Sequence, residues 1–128
     1  MPFILDTDVA IHLRDGDPEI LQKVGALGDD VLLSIVTRVE LEGGVVRVPG
    51  QMGIRRSLLD AMLTGFPTIP FGDDDADAYR TIVEASGYSR RKVLDRMIAA
   101  QALVHRATLV TRNAADFADI PGLTLETW

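Results

Sequence analysis

An α/β fold, with a mainly parallel sheet covered on both faces, is predicted by three features of this 128-residue chain. Short apolar runs bounded by turn residues alternate with stretches of helical spacing. Those runs read as buried strands, the kind found in parallel sheets with helices on either side. Length and composition (47% apolar, 25% charged) suit one domain, residues 1–128, able to bury a core without disulfides.

Residues 2–6 read as an opening strand and Thr7 to Arg14 as a helix. Asp15-Gly16-Asp17-Pro18 marks a turn and a helix start, with Pro18 at the first helical position. Ile20, Leu21, Val24 and Leu27 keep helical spacing up to Gly28, and Val31 to Ser34 is the second strand. The next helix, Val36 to Val46, is weakened by Gly43-Gly44. After Pro49-Gly50, Ile54, Leu58, Ala61 and Met62 form one helical face that ends at Gly65. Phe66 to Phe71 reads as a third strand, sent to an edge or sheet end by its prolines. Asp73 to Ala85 is helical, Gly87 to Arg90 a loop, and Lys92 to Arg106 a helix rich in small residues. Thr108 to Thr111 is a strand, Asn113 to Phe117 a short turn or helix, and Leu123 to Thr127 the last strand.

Composition narrows the function classes. Cysteine is absent, so disulfides and thiolate metal sites are excluded. No segment approaches the roughly 18 continuous apolar residues of a membrane span. The start, Met-Pro-Phe-Ile-Leu-Asp, lacks the basic region and long apolar stretch of a signal peptide, so a cytoplasmic protein is expected. Thirteen basic against 19 acidic residues give a net charge of −6, which argues against a broad basic nucleic-acid-binding surface. An enzyme acting on nucleic acid stays open, because bound cations invert the field of an acidic cleft.

Four acids lie beside apolar segments, where charge is normally excluded. Asp6 ends Phe3-Ile4-Leu5, and Glu40 falls in the stripe of Val36, Val39 and Gly43. Asp95 leads a face of Ile98, Ala99 and Ala102, and Asp116 follows the strand ending in Thr111. Asp6 and Asn113 to Asp116 also sit at strand ends, where open α/β sheets bind ligands. Each acid has a plainer role available. Asp6 could cap the helix at Thr7, and Thr37-Arg38-Val39-Glu40 fits a capping box. Asp95 suits a helix first turn, and Asp116 a turn or cap. Taken together, the placements point to convergence, and four converging carboxylates raise one another's pKa unless a cation intervenes. Oxygen ligands without Cys or suitably spaced His suit Mg²⁺ or Mn²⁺, hence phosphoester hydrolysis.

Other clusters carry less. Asp73, Asp75, Asp77 and Glu84 mimic a calcium-binding loop, but the sixth position, which needs Gly, is Ala78. A solvated acidic helix start is expected there, and His12 and His105 stand isolated. Arg90-Arg91-Lys92 lies shortly before Asp95, and Arg38 and Arg112 flank the acids, so Arg38, Arg90, Arg91 and Arg112 are candidates for holding a phosphate backbone.

Ile4-Leu5-Asp6-Thr7-Asp8, Ser34 to Leu41, Asp95 to Ala100 and Thr108 to Phe117 together resemble PIN-domain ribonucleases, and most closely the VapC-type toxins of bacterial toxin–antitoxin pairs. The motifs occur in family order across essentially the whole chain. The resemblance implies a three-layer α/β/α fold around a sheet of four to five strands, and RNA hydrolysis with Mg²⁺ or Mn²⁺. It implies that Asp6, Glu40, Asp95 and Asp116 are catalytic and metal-ligating, with Thr7, Asp8, Thr111 and Asn113 as polar support. It also implies a homodimer and a VapB-like antitoxin whose C-terminal segment covers the site, with residues 36–63 offering both surfaces. Two departures stand out: Asp8 replaces an Asn common in the family, and Asn113 stands where some members carry an acid, which leaves Asp116 as the fourth carboxylate.

The expected activity is in-line attack of water on an RNA phosphodiester. One rival is a phosphatase of the haloacid dehalogenase type, with Asp6 as nucleophile and Asp8 as acid/base. It lacks the Thr expected after the Asp-x-Asp pair and a suitably late Lys. The other rival is a non-catalytic binding module of the same fold, for which an intact tetrad is unnecessary.

Overall fold

A computed structural model describes residues 1–128. Five parallel strands, β1 (Phe3–Leu5), β2 (Val31–Ser34), β3 (Thr68–Ile69), β4 (Thr108–Thr111) and β5 (Thr124–Thr127), form one sheet in the order β3-β2-β1-β4-β5. Six helices accompany it: α1 (Thr7–Arg14), α2 (Pro18–Ala26), α3 (Ile35–Arg47), α4 (Met52–Gly65), α5 (Asp73–Ser86) and α6 (Val93–Val104). None is long and apolar enough to cross a membrane.

Strand periodicity builds the layers. Successive strand residues point to opposite faces, so Leu5, Leu33 and Val110 enter one core with Val9, Leu13, Leu41 and Leu59 from the helices. Their neighbours Ile4 and Leu109 enter a second core with Ile82, Ile98, Ala99 and Phe117. β1 is therefore apolar at every position and β2 and β4 are apolar in their middles, and the fold is the three-layer α/β/α arrangement.

Helix starts are set by short polar side chains. Asp17 accepts the N–H groups of Glu19 and Ile20 at 3.0 and 3.3 Å, ahead of Pro18. Ser34 caps α3 by accepting the Val36 N–H at 3.0 Å. Asp75 accepts the Gly72 N–H at 2.8 Å and thereby closes the start of α5.

Several expectations need correction. The strand over 66–71 shortens to Thr68–Ile69, because Pro67 and Pro70 have no N–H to donate. The Pro67 carbonyl still accepts the Leu33 N–H at 2.9 Å, so pairing reaches just beyond the strand. The helix expected over Val36 to Val46 does form, as α3 from Ile35 to Arg47, with Gly43 and Gly44 inside it and Leu41 and Val45 buried. Burial on that face outweighs roughly 1 kcal/mol of lost helix propensity per glycine. The helix placed over Lys92 to Arg106 is α6 alone, preceded by a 3₁₀ turn at Arg90–Lys92. The acidic start of α5 is not wholly solvated, since Asp75 is 5% exposed.

The two-residue β3 needs an outside clamp, which α6 supplies. Gln101, fully buried, donates to the carbonyls of Ile69 and Pro70 at 3.3 and 3.0 Å. Its own carbonyl accepts the Ser34 hydroxyl. One side chain thereby fixes β3 and the end of β2.

Candidate active site

β2, β1 and β4 are adjacent and parallel, so the residues just past their C-terminal ends share one rim of the sheet. Asp6 follows β1 there, 4% exposed, with both oxygens engaged. Oδ1 accepts the Thr7 N–H at 2.8 Å, and Oδ2 accepts the Thr111 hydroxyl at 2.8 Å. Thr111 Oγ1 in turn accepts the Asn113 N–H at 2.9 Å, while the Asn113 residue itself is exposed. Asp6 does cap α1, and it is also tied to the end of β4.

Glu40 enters from α3. The capping box does not form, because α3 begins at Ile35 and Glu40 falls in its second turn. Thr37 and Glu40, one turn apart, share a face. The Thr7 hydroxyl donates to Glu40 Oε1 at 2.7 Å and lies 2.9 Å from the Thr37 hydroxyl, which leaves Thr37 as donor to Thr7. Sequence reasoning missed Thr37. The available signal was its spacing from Glu40.

Asp95 occupies the first turn of α6, and Asp116 is exposed in the 3₁₀ turn Ala114–Phe117, which buried Phe117 anchors. Burial lifts the Asp95 carboxyl, and the charges of Asp6, Asp116 and Glu40 lift it further, to about 6 against the opposing pull of Lys92. Burial likewise raises Asp6, opposed by its hydrogen bonds from Thr111 and Thr7 and assisted by the charges of Asp8 and Glu40. Carboxylates from four distant segments thus act on one another. Their convergence is electrostatic rather than a closed cage, because no three of them are gathered tightly enough to grip one ion as they stand. Thr7 and Thr111 hold Asp6 and Glu40, and like charges keep apart unless a cation intervenes.

The donor set suits a hard cation. All four acids offer oxygen, and neither histidine joins them: His12 lies 3.8 Å from Asp8 and 4.0 Å from Asp17, and His105 is exposed beyond α6. Asp8 adds its charge near Asp6 but has partners of its own, His12 and, at 3.9 Å, Arg112. Of the proposed phosphate-binding arginines, only Arg112 touches an acid at this rim. Arg38 pairs with Glu42 at 3.3 Å, and Arg90 and Arg91 are exposed in the turn before α6. Arg56 and Arg38 together hold the Glu42 carboxyl below its usual range.

The raised Asp95 carries a pH signature. Its carboxyl keeps a proton up to about 6 in the fold but only to 3.8 in the unfolded chain, so the folded state binds more protons between those values. Its contribution to stability is therefore best at the acid end of that window and is lost as pH rises through about 6. Discounted for the half-exposed side chain, the change is about 1 kcal/mol. Urea unfolding of the wild type and Asp95→Asn, at about pH 4.5 and about pH 7.5, should show the variant gaining on the wild type at the higher pH. Parallel pH profiles would contradict the placement.

The PIN domain sequence profile matches residues 3–123. Ribonuclease VapC2 of Rickettsia felis is 29% identical over the whole chain and 98% of its own length. Ribonuclease VapC1 of the same organism is 30% identical over 99% of this chain and 96% of its own. Among solved structures, VapBC2 of Rickettsia felis bound to a promoter DNA fragment superposes with a TM-score of 0.88, at 28% identity, covering 100% of this chain and 99% of that one. The fold, the rim of acids and these matches agree: the chain belongs to the PIN-domain family, in its VapC group.

Proposed function

We propose that this chain is a divalent-cation-dependent endoribonuclease, the toxin half of a toxin–antitoxin pair acting in the cytoplasm. The carrying observation is Asp95, whose carboxyl is held at about 6 by burial and by three acids from other segments. Asp6, Glu40, Asp95 and Asp116 would hold Mg²⁺ or Mn²⁺. When bound, such a cation activates water and offsets the charge developing on a phosphoryl group. The remaining work falls to the chain. Thr7 and Thr111 fix the Asp6 carboxylate, and Thr7, itself held by Thr37, fixes Glu40, so orientation is set before the substrate arrives. Arg112 beside Asp8, Arg90 and Arg91 in the turn before α6, and Arg38 on α3 would offer backbone contacts.

Similarity to proteins named ribonuclease VapC supports the activity, and the likeness to VapBC complexes supports a VapB-like antitoxin. Val39 and Val46 on α3, with Ile54 and Leu58 on α4, are exposed apolar residues suited to a second copy and to an antitoxin segment. The phosphatase reading finds no support, because Asp8 lies against His12 and Arg112, and Lys92 lies 3.8 Å from Asp119. The test is incubation of purified protein with transfer and ribosomal RNA. Discrete cleavage with Mg²⁺ or Mn²⁺, abolished by chelator, is expected; intact RNA under all conditions would refute the proposal.

A further inference from the structure

A pocket of about 420 Å³ runs from Thr7 and Glu40 into a basic recess with no sequence motif to mark it. Thr7, Ile11 and Arg14 of α1 form one wall, and Glu40, Gly43, Gly44 and Arg47 of α3 the other. Both sets follow helical spacing, so each wall is a single helix face. Arg55, from α4, joins at the far end. Seven residues separate Thr7 from Arg14 and Glu40 from Arg47, roughly 10 Å along a helix axis. Glu40, with Thr7, therefore stands at one end of the groove and the arginines at the other.

Two of the three groove arginines, Arg47 and Arg55, have no carboxylate partner. Arg56, Arg80 and Arg96 each pair with a carboxylate, as does Arg38. Arg47 has none within salt-bridge distance, and Arg55 donates only to the Gly44 carbonyl, at 2.7 Å. Arg14 has a side chain 4% exposed, yet only its Nε is bonded, to Asp15 at 3.0 Å. A guanidinium buried so far with its terminal nitrogens unmatched by protein acceptors is poised for an anion. The glycines keep the space open. A Cβ on Gly44 would sit 3.5 Å from Arg14 Nη1, and one on Gly43 would project into the groove without meeting any atom.

We propose that this groove seats RNA backbone phosphates beside the scissile one, with Arg14, Arg47 and Arg55 as the phosphate-binding residues. The proposal rests on the ribonuclease reading above. Within a chain of net charge −6, three arginines against Glu40 and the Asp15 partner of Arg14 leave a local positive site beside Glu40. The planar guanidinium fork matches phosphate oxygens. Such contacts position a strand without reading its bases.

The experiment titrates a short, fluorescently labelled single-stranded RNA with full-length protein in chelator, following anisotropy across a range of salt. The R47A/R55A double variant should weaken binding at least about tenfold and lower the salt slope by about 0.7 for each phosphate it no longer neutralises. Gly43→Leu, which fills the groove without changing charge and favours the helix, should weaken binding as well. Arg80→Ala, on an exposed ion pair with Glu84, should leave binding unchanged. Unchanged affinity and slope in R47A/R55A, while the wild type binds and cleaves RNA, would overturn the groove assignment alone; a groove that takes a partner protein instead gives this same result. A wild type that neither binds nor cleaves RNA would overturn the ribonuclease reading and the groove together.

Discussion

Asp6→Asn should reduce RNA cleavage by at least on the order of 10²–10³-fold, the range for removing one preorganised electrostatic interaction. The fold should be retained. Asn keeps an oxygen to accept the Thr7 N–H, so the cap of α1 persists. Its amide would face Thr111 Oγ1, which can accept as readily as it donates. The substitution also removes a buried negative charge that burial already disfavours and that Asp8 and Glu40 repel. Cleavage rate and thermal melting, measured on the same preparation, separate the two effects. Full activity in the variant would remove Asp6 from the site, and lost activity with a collapsed melting transition would make its role structural.

Gln101→Leu should cost about 2–3 kcal/mol of stability, most of it at the buried Ser34 hydroxyl. Leucine nearly matches the volume, so the loss is polar rather than steric. Three groups lose their partner at once: the Ser34 hydroxyl and the carbonyls of Ile69 and Pro70. The Ser34 hydroxyl is fully buried, and such an orphan costs about 1–3 kcal/mol; the two carbonyls lie nearer the surface, where water can replace part of what they lose. β3 would be the first element to loosen, since its own pairing covers two residues. Urea unfolding should show a lowered midpoint, and hydrogen exchange a local loss of protection at 66–71. A variant as stable as the wild type would show that β2 alone holds this edge.

Much of this is legible from chemistry local in sequence. Phe3-Ile4-Leu5 is apolar throughout because both faces of β1 are covered, and the charge ending such a run marks the rim of the sheet. Asp17-Pro18 and Ser34 announce their helices because capping depends on neighbours alone. Each acid has two roles open to it in the sequence, and the structure gives Asp6 both: cap and member of the rim. Asp116 is different. It is exposed and lies in a 3₁₀ turn, so only resemblance singles it out. What escapes depends on residues distant in sequence. Gly43-Gly44 is carried by packing, and Thr37 matters through Thr7, thirty residues earlier. The groove arginines come from three helices and share no motif.

The most direct measurement is Mn²⁺ binding by the purified protein at about pH 7.5, above the raised Asp95 value, followed as a shift in melting temperature. If carboxylates from the end of β1, α3, α6 and the turn after β4 serve one centre, micromolar to millimolar Mn²⁺ should stabilise the wild type saturably. The gain should shrink at about pH 5, where Asp95 keeps its proton, and should vanish in Asp6→Asn. A melting temperature indifferent to Mn²⁺, or an equal gain in Asp6→Asn, would contradict a shared cation site.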